Sequence, residues 1–382
     1  MQQTIAGITS LSFAALFYIE QNYAYTILRS LQAEIRANGG NVHWLLVGDD
    51  VDASYLQADE VRLQNVAAAI ALNPAAVFVP GDRVPSFIPG LKVQVFHGLN
   101  EDKRGNIYPE RGLFDLYCTE GPGRTSMLQP LAEQRGYFQV RETGWLKLDS
   151  LFPNEFPNEF KNEFKNEFST ELANEFAHQP ALDSEKVVQD NRPIILYAST
   201  FTLKLSSAET LYPEIKQLSN NDRWQWLVTL HPKMTAETVE KYQALEGPNL
   251  KFIGNDRVLQ ALHSADIMVS DNSSILQEFL LLNKPVVTFR NRAPQDCMID
   301  FDNPAQLETT IEQALNIGPE LEQAIHKYGA SITPFLDGKS AARVYQTVID
   351  MFESNWQDKK PPNYWRNWKM RCQLGYFKFF GK

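Results

Sequence analysis

The stretch 265–289, ADIMVSDNSSILQEFLLLNKPVVTF, predicts a strand, a serine-rich turn, a helix and a second strand in succession. Ser274 followed three residues later by Gln277 predicts a capping box that begins the helix. Because backbone N–H groups at a helix start carry positive potential, the turn predicts a phosphate or diphosphate site that includes the hydroxyls of Ser273 and Ser274. An ordinary crossover between two strands, with nothing bound, explains the same pattern equally well.

Other polar residues surround this turn in the predicted donor-binding site. Asp271 ends the preceding strand, and Glu278 lies one turn into the helix, within reach of a ribose. Residues 227–230 form a further predicted strand that leads into His231, Pro232 and Lys233, so that a histidine and a lysine lie near the phosphate pocket.

Length and composition indicate a soluble globular protein of two domains. The chain has 382 residues, 43% of them hydrophobic, and its formal net charge of −10 argues against a nucleic-acid partner. Its 3 cysteines are widely spaced, which predicts neither a disulfide framework nor a zinc cluster and favours a reducing cytoplasm. An apolar run long enough to span a membrane and a signal peptide are both lacking, so we expect no export.

Strands alternate with helices along the chain, which predicts an α/β fold with parallel sheets. We expect two doubly wound, Rossmann-like domains facing a central cleft, at residues 1–150 and 191–345, joined by a linker at 151–190 and followed by a tail at 346–382. In the first domain, strands are predicted at 14–19, 42–47, 76–79 and 93–96 and from 113, with helices at 23–37 and 61–70. In the second, strands are predicted at 194–197, 226–229, 251–253, 267–269 and 286–289.

The linker contains a tract of four-residue repeats, PNEF-PNEF-KNEF-KNEF-STEL-ANEF, at 153–176. On a helix, residues four apart are offset by only about 40°, so the phenylalanines form one slanted aromatic stripe. Pro157 disfavours helical geometry at Phe156, so we expect the helix to begin near residue 158 and to run towards 176. The stripe fits a helix that binds a partner or a membrane, but a tolerated expansion in a linker is favoured.

The tail has a different composition from the rest of the chain. Residues 359–382 contain seven Lys or Arg, no Asp or Glu, and seven aromatic side chains, Trp365 and Trp368 among them. Basic and aromatic residues together are typical of segments that bind an anionic membrane surface. Single-stranded RNA is bound by similar residues, and a terminal helix that packs across the first domain is the structural alternative.

A histidine also ends a predicted strand in the first domain. Residues 93–96 run into His97 and Gly98, so that the imidazole projects from the edge of the sheet where open α/β folds bind ligands. Histidine, with an ordinary pKa of about 6.5, accepts a proton from an attacking hydroxyl near neutral pH, which contributes roughly 10²- to 10⁴-fold to a rate. One such histidine is more often structural, but two of them together with the serine-rich turn favour a site.

The chain resembles the CDP-glycerol glycerophosphotransferase family, whose members build teichoic-acid-like polymers on the GT-B fold. The resemblance runs from residue 17 to about residue 315 and is carried by FYIEQNYAYTIL, VFVPGDRVPSFIPGLKVQVFHGLNEDKRGN, FDLYCTEGP, GWLKLDSLF, ILYASTF, TLHPK and SDNSSILQEFLLLNKPVV. It implies that His97 is the base and that His231, Ser273 and Ser274 bind the donor diphosphate. It also matches Thr200 to the donor site, with Lys103 and Asp149 as further cleft residues.

The mechanism implied by the resemblance is an in-line displacement at phosphorus, in which CMP leaves the donor. It requires a CDP-linked donor, a polymer or lipid-linked acceptor and no cofactor or metal. Together with the basic tail, it places the protein in the cytoplasm, peripherally on the inner face of the cell membrane. The oligomeric state stays open, a homo-oligomer included. Two acidic pairs, Asp49 with Asp50 and Asp300 with Asp302, are interpreted as solvated surface.

Other functions remain compatible with this sequence. A GT-B sugar transferase or a UDP-sugar epimerase would use the same second-domain pocket, with Glu278 on the ribose, and would act at a sugar carbon. A degenerate transferase that serves as a binding subunit in capsule assembly is a third reading, which the presence of both His97 and His231 disfavours.

Overall fold

The computed structural model describes residues 13–99, 110–152, 164–165, 167–168, 190–254, 257–354, 356 and 359–377. The chain divides into two compact units. Unit 1 comprises Met1–Asn154 together with Ser331–Lys382, and unit 2 comprises Glu155–Ala330. The boundary predicted at residue 345 differs from the observed one, because the chain already returns to unit 1 at residue 331.

Unit 1 is organised by a sheet of seven parallel strands in the order β3-β2-β1-β4-β5-β6-β7. Apolar runs such as AVFV in the fourth strand are buried throughout, as strands covered on both faces must be. The winding direction reverses between the first and the fourth strand, and ligands bind beside such a reversal in open sheets. The strands are β1 (Ala14–Ile19), β2 (Asn41–Leu46), β3 (Val61–Leu63), β4 (Ala76–Val79), β5 (Leu91–Gln94), β6 (Leu116–Thr119) and β7 (Gln139–Glu142).

Helices cover both faces of this sheet. On one face, Phe17 of β1 packs edge-on against Trp44 and Phe78 and, with the long first helix, forms a continuous apolar cluster. The eleventh helix contributes Val344 and Val348 to the same cluster, which is why the C-terminal segment belongs to unit 1. The helices of unit 1 are α1 (Tyr23–Ala37), α2 (Val66–Leu72), α3 (Pro122–Arg135), α4 (Leu148–Leu151), α11 (Ser340–Glu353) and α12 (Tyr364–Gln373).

The helix predicted at 61–70 is wrong in its first half. Val61–Leu63 is the edge strand β3, which pairs with β2 in parallel register. The side chain of Asn65 then accepts a hydrogen bond from the N–H of Ala68 and begins α2. Because this cap fixes the start of α2 at Val66, Val61–Leu63 lies outside the helix and can pair with β2.

Unit 2 contains a sheet of six parallel strands in the order β10-β9-β8-β11-β12-β13. This arrangement matches the strand order of the Rossmann fold and reverses between β8 and β11. The strands are β8 (Ile194–Ser199), β9 (Gln225–Leu230), β10 (Leu250–Phe252), β11 (Ile267–Ser270), β12 (Val286–Phe289) and β13 (Met298–Phe301). The helices that follow them are α5 (Ala208–Leu218), α6 (Ala236–Gln243), α7 (Val258–Ser264), α8 (Ile275–Leu281), α9 (Leu307–Leu315) and α10 (Pro319–Ile332).

The region around Asp300 was predicted to be a loop after the last strand, but it is the sixth strand of the sheet. Residues Met298–Phe301 pair with β12, and one carboxylate oxygen of Asp300 accepts from the Thr288 hydroxyl at 2.6 Å and from the Asn291 N–H at 3.0 Å. Asp300 therefore ties β13 to its neighbour.

Four residues of the repeat tract are described, and they are helical and packed within unit 2. Phe164 and Phe168 are buried, with Arg257 4.3 Å from the first ring centroid and Lys251 5.0 Å from the second. Glu167, between the two rings, forms ion pairs with both cations. Part of the predicted aromatic stripe is therefore anchored to the unit itself, and the rest of the tract lies outside the described residues.

The terminal helix α12 packs on unit 1, as the structural alternative predicted. Met370 is buried, the Ser86 hydroxyl donates to the side-chain carbonyl of Asn367 at 2.7 Å, and the Arg371 guanidinium lies 4.1 Å from the Phe87 ring centroid. None of the helices in the described part of the chain has the length and apolar character required to cross a bilayer.

Candidate active site

His97 lies just beyond β5 in unit 1, where the sequence predicts it. Its Nδ1 lies 2.9 Å from the carbonyl oxygen of Pro80. A carbonyl oxygen only accepts hydrogen bonds, so Nδ1 carries the proton and Nε2 of the neutral ring keeps its lone pair. The ring of Tyr23 stacks on the imidazole, with centroids 5.0 Å apart and an interplanar angle of 24°. These contacts fix both the tautomer and the plane of a ring that can accept a proton at Nε2.

A cavity of about 370 Å³ opens beside His97 at the carboxyl ends of β1, β2 and β4. Its wall contains four carboxylates and one guanidinium, so it is negatively charged. Such a wall offers many acceptors for hydroxyl groups and repels anions. The charged residues are Glu20, Asp49, Asp50, Asp82 and Arg83.

The sequence analysis did not assign Asp49 and Asp50 to this site. They were assigned to solvated surface, but both line the cavity, and the Gln21 side-chain amide donates to Asp50 at 2.8 Å. They follow β2 after only two residues, and this position at the end of a parallel strand is the sequence signal that could have identified them as site residues.

Glu20 connects the cavity wall to a buried tyrosine. Arg83 lies 3.2 Å from one carboxylate oxygen of Glu20, and the Tyr18 hydroxyl donates to the same oxygen at 3.3 Å. Burial, reinforced by the charge of Glu20, raises the pKa of Tyr18 far above its ordinary value. Tyr18 therefore remains a hydrogen-bond donor at neutral pH and does not compete with His97 as a base.

The other residues predicted for the first-domain cleft are not gathered at one place. Gly98 directly follows His97, and Lys103 lies outside the described residues. Asp149 is buried and accepts hydrogen bonds from the backbone N–H groups of Ser340 at 2.8 Å and Ala341 at 2.6 Å. Burial raises the pKa of its carboxyl. Asp149 therefore caps the start of α11, which differs from the cleft position predicted for it.

His231 follows β9 directly in unit 2, again as the sequence predicts. Its Nδ1 accepts a hydrogen bond from the backbone N–H of Lys233 at 3.1 Å. An accepting nitrogen has no proton of its own, so the neutral ring carries its proton on Nε2. The ring contacts Phe201, with centroids 4.4 Å apart, and the Lys233 side chain is exposed. His231 is therefore a donor at Nε2.

Asp271 organises the loop that carries Thr200. It is completely buried, and one carboxylate oxygen accepts from the Ser199 hydroxyl at 2.6 Å and from the Ser207 N–H at 2.9 Å. The other oxygen accepts from the Thr200 N–H at 3.0 Å. These bonds hold the segment after β8 against the end of β11, so the predicted donor ligand Asp271 has its carboxylate engaged inside the unit.

The predicted capping box at Ser274 is not formed. Ser274 has helical dihedral angles, and its side chain does not cap α8, which spans seven residues. A capping residue needs an extended backbone for its oxygen to reach back to the helix, and Ser274 lacks it. Gln277 donates instead to the Tyr328 hydroxyl at 3.2 Å. The exposed Ser274 and the half-buried Ser273 thus have hydroxyls near the surface, while Glu278 is largely buried.

Metal-ligating side chains do not gather in groups of three or more anywhere in the described residues. Asp300 and Asp302 do not form a joint site: the first bonds to β12 and its following loop, and the backbone carbonyl of the second accepts from Arg290 at 3.0 Å.

Residues 171–350 match a family model described as CDP-glycerol:poly(glycerophosphate) glycerophosphotransferase. A comparison with curated proteins finds no match. A solved structure with a similar fold is the wall teichoic acid polymerase TagF in its H548A variant, with a TM-score of 0.59 and 12% identity over 91% of this chain and 90% of that chain.

Two solved structures that hold UDP or a UDP-sugar have a similar fold. The UDP-GlcNAc 2-epimerase from Neisseria meningitidis bound to UDP-GlcNAc gives a TM-score of 0.56 at 13% identity, covering 88% of this chain and 100% of that one. The UDP complex of MnaA from S. aureus gives 0.56 at 14% identity, covering 91% and 99%. At such identities the likeness shows a shared α/β architecture of the GT-B type and leaves the chemistry to the residues.

Proposed function

We propose that this chain moves glycerol phosphate or a related alditol phosphate from a CDP-linked donor to a hydroxyl of a cell-surface polymer or lipid-linked acceptor. The match of residues 171–350 to the CDP-glycerol:poly(glycerophosphate) glycerophosphotransferase family model supports this proposal. The observation that supports this most directly is the tautomer of His97. Its Nδ1 is committed to the Pro80 carbonyl, so its Nε2 is the nitrogen able to take a proton.

In this proposal His97 Nε2 accepts the proton of the acceptor hydroxyl while that oxygen attacks the β-phosphorus of the donor. A phosphodiester bond to the acceptor forms, the bond between the β-phosphorus and the bridging oxygen of the diphosphate breaks, and CMP leaves with the electron pair. The cavity beside His97 supplies carboxylate acceptors, which would orient the hydroxyls of the acceptor end.

The leaving CMP develops negative charge, and the proposal assigns its stabilisation to unit 2. His231 donates from Nε2, with the hydroxyls of Ser273 and Ser274 and the ammonium of Lys233 as further donors to the phosphates. The proposal assigns Thr200 to the same group and Glu278 to the ribose. These donors take the place that a metal has in other phosphoryl transfers, so we expect activity to survive chelation with EDTA.

The test is CMP release in the presence of a membrane acceptor, with CDP-glycerol, CDP-ribitol and UDP-GlcNAc assayed in parallel. We expect release from an alditol donor by the wild type and by His326→Ala, an exposed-histidine control, and none by His97→Ala. Turnover of UDP-GlcNAc alone would instead favour the sugar transferase or epimerase suggested by the shared fold. Release that is unchanged in His97→Ala would overturn the role given to this residue.

We also propose that the protein binds the cytoplasmic face of the cell membrane through α12. Tyr364 and Trp365 are 78% and 83% exposed on this helix, and Trp368 is 47% exposed. The exposed Arg366 and Lys369 lie among them. Aromatic rings suit the headgroup region, and each cation near an anionic surface contributes about 1 kcal/mol.

Vesicle sedimentation tests this second proposal. We expect binding to vesicles that contain phosphatidylglycerol and little binding to phosphatidylcholine alone, with a loss of binding in Trp365→Ala/Lys369→Ala. A matched control is Leu203→Ala/Lys204→Ala, which removes an exposed apolar residue and a lysine from unit 2. Equal sedimentation of both double variants would exclude α12 as the attachment.

A further inference from the structure

The backbone before His97 has an unusual conformation. Phe96 has a φ of +56°, in the left-handed region that bulky residues rarely adopt. Its ring is buried among the side chains of the core cluster that contains Tyr117. Non-glycine residues keep such a conformation only where surrounding contacts impose it, and these positions are concentrated at functional sites. The contacts that impose it therefore also determine where the next residue, His97, points.

Arg124 supplies contacts on both sides of His97. Its guanidinium carbon lies 3.8 Å from the centroid of the Phe96 ring, and its Nη2 donates to the carbonyl oxygen of Gly98 at 3.0 Å. The side chain extends from the first turn of α3 and is only 3% exposed. One buried guanidinium thus contacts the residue before His97 and the residue after it.

Glu120 holds the guanidinium in this place. One of its carboxylate oxygens lies 3.2 Å from Nη2 of Arg124, and the Glu120 side chain is 7% exposed. The next residue, Gly121, approaches the backbone so closely that a Cβ there would lie 2.0 Å from the Ile332 carbonyl oxygen. The position of Glu120 is therefore fixed by the backbone. The FDLYCTEGP motif, which had no role in the chemistry, supplies this carboxylate.

We propose that Arg124 is a positioning residue that sets the orientation of the His97 imidazole through Phe96 and Gly98, with Glu120 as its anchor. The proposal rests on the proposed function only in that His97 is the base. Arginine is required because a planar guanidinium can stack on a ring, donate to a carbonyl and pair with a carboxylate at once. The smaller ammonium of lysine cannot make all three contacts from one position.

The decisive experiment measures the His97 ring directly. Selective ¹⁵N labelling of the 6 histidines gives ring-nitrogen spectra that separate the two tautomers, and His97→Ala assigns the signals of His97. We expect the wild type to show the Nδ1–H form of His97. In Arg124→Met we expect the His97 signals to move towards a mixture of tautomers, while those of the other histidines stay in place.

Arg29→Met is the matched control in unit 1. Arg29 also pairs with a buried carboxylate, Glu60, and lies 5.6 Å from the Tyr25 ring centroid, but it does not contact the residues beside His97. We expect the His97 spectrum to be unchanged in this variant. If Arg124→Met does not fold, Arg124→Lys, which keeps the charge opposite Glu120, is measured instead. An unchanged His97 spectrum in the folded variant would overturn the proposal.

Kinetics provides the second readout. Displacement of a reacting group by about 1 Å costs on the order of 100-fold, so we expect kcat of Arg124→Met to fall by about that factor while KM for the donor stays within about twofold. CMP release that needs His97 but is indifferent to Arg124→Met would remove this inference and leave the proposed function standing. Silence of the wild type with every donor would count against the proposed function, and the spectra would still decide the placement of His97.

Discussion

His97 in unit 1 and His231 in unit 2 each lie just beyond a parallel strand, but their rings have opposite tautomers. Nδ1 of His97 donates to a backbone carbonyl, whereas Nδ1 of His231 accepts from a backbone N–H. The first ring therefore keeps a lone pair at Nε2, and the second presents a proton there. Two backbone groups, Pro80 C=O and Lys233 N–H, thus divide the roles of proton acceptor and hydrogen-bond donor between two identical side chains.

The largest effect expected from this comparison is the loss of His97. Asparagine at position 97 can still donate an amide N–H to the Pro80 carbonyl, but it provides no base. We expect His97→Asn to fold like the wild type and to lose about 10²- to 10⁴-fold in kcat, with KM for the donor unchanged. Steady-state CMP release measures both constants. A kcat within threefold of the wild type, in the folded variant, would mean that the lone pair at Nε2 is not used.

Replacement of His231 should separate its two nitrogens. Glutamine can place an amide N–H near the position of Nε2, whereas alanine removes the donor. Loss of one donor to developing charge costs about 10²- to 10³-fold, so we expect that reduction in His231→Ala and a loss of less than about tenfold in His231→Gln. His97→Gln serves as the contrast, because no amide replaces a base. Equal losses in the two His231 variants would contradict the donor assignment.

The next effect concerns the carboxylates that support each unit. Asp271→Asn would place an amide N–H against the donors of Ser199 and Ser207, and we expect it to lower the stability of unit 2 by about 2 to 3 kcal/mol and to raise KM for the donor. Asp149→Asn removes a helix cap in unit 1 and should cost about 1 kcal/mol without affecting KM. Thermal unfolding and CMP release on both variants test this. A donor KM that rises equally in both would show that the loop held by Asp271 has no special connection with donor binding.

The smallest expected effect is a pH dependence of the stability of the fold, with no change in the rate of CMP release. Burial by itself raises the pKa of Glu60, but hydrogen bonds from Arg29, the Gln57 N–H and Gln32 outweigh it and hold that pKa below its ordinary value of 4.5. The charged form therefore stabilises the fold above about pH 4.5, and this contribution is lost as the pH falls through the lower pKa of the folded state.

We expect Glu60→Gln to unfold at a lower temperature than the wild type at pH 7, by an amount on the order of 1 kcal/mol, and the difference to shrink below pH 4.5. CMP release at pH 7 should be unchanged, since Glu60 does not contact the cavity beside His97. A difference that persists undiminished into acid would show that the carboxylate stabilises the fold by packing rather than by charge.

The sequence predicted the central elements of the fold because those elements are local and strongly patterned. β1, β4 and β12 were predicted at their observed bounds, since each is a short buried run in which apolar residues predominate. β3, β7 and β13 were missed because edge strands are short and partly exposed, so their composition does not differ from that of a helix start or a loop.

The candidate site was only half predictable. Both histidines could be placed from the strand that precedes each of them. Their tautomers could not, because the partner Pro80 lies 17 residues from His97 in the chain and is brought to it by pairing of β4 with β5. The capping box at Ser274 failed because a sequence motif does not reveal the backbone dihedral angles on which a cap depends.

The return of residues 331–382 to unit 1 makes unit 2 an insertion within unit 1, with consequences for biosynthesis. Ala341, Val344, Val348 and Met351 complete a core whose other buried members are made before residue 155, so unit 1 emerges from the ribosome with this core incomplete. At ordinary elongation rates this interval lasts roughly 10 to 40 seconds. During that time Phe13 lacks the rings of Tyr345 and Phe352 that later pack on it, and the incomplete core depends on prompt translation of unit 2 or on a chaperone.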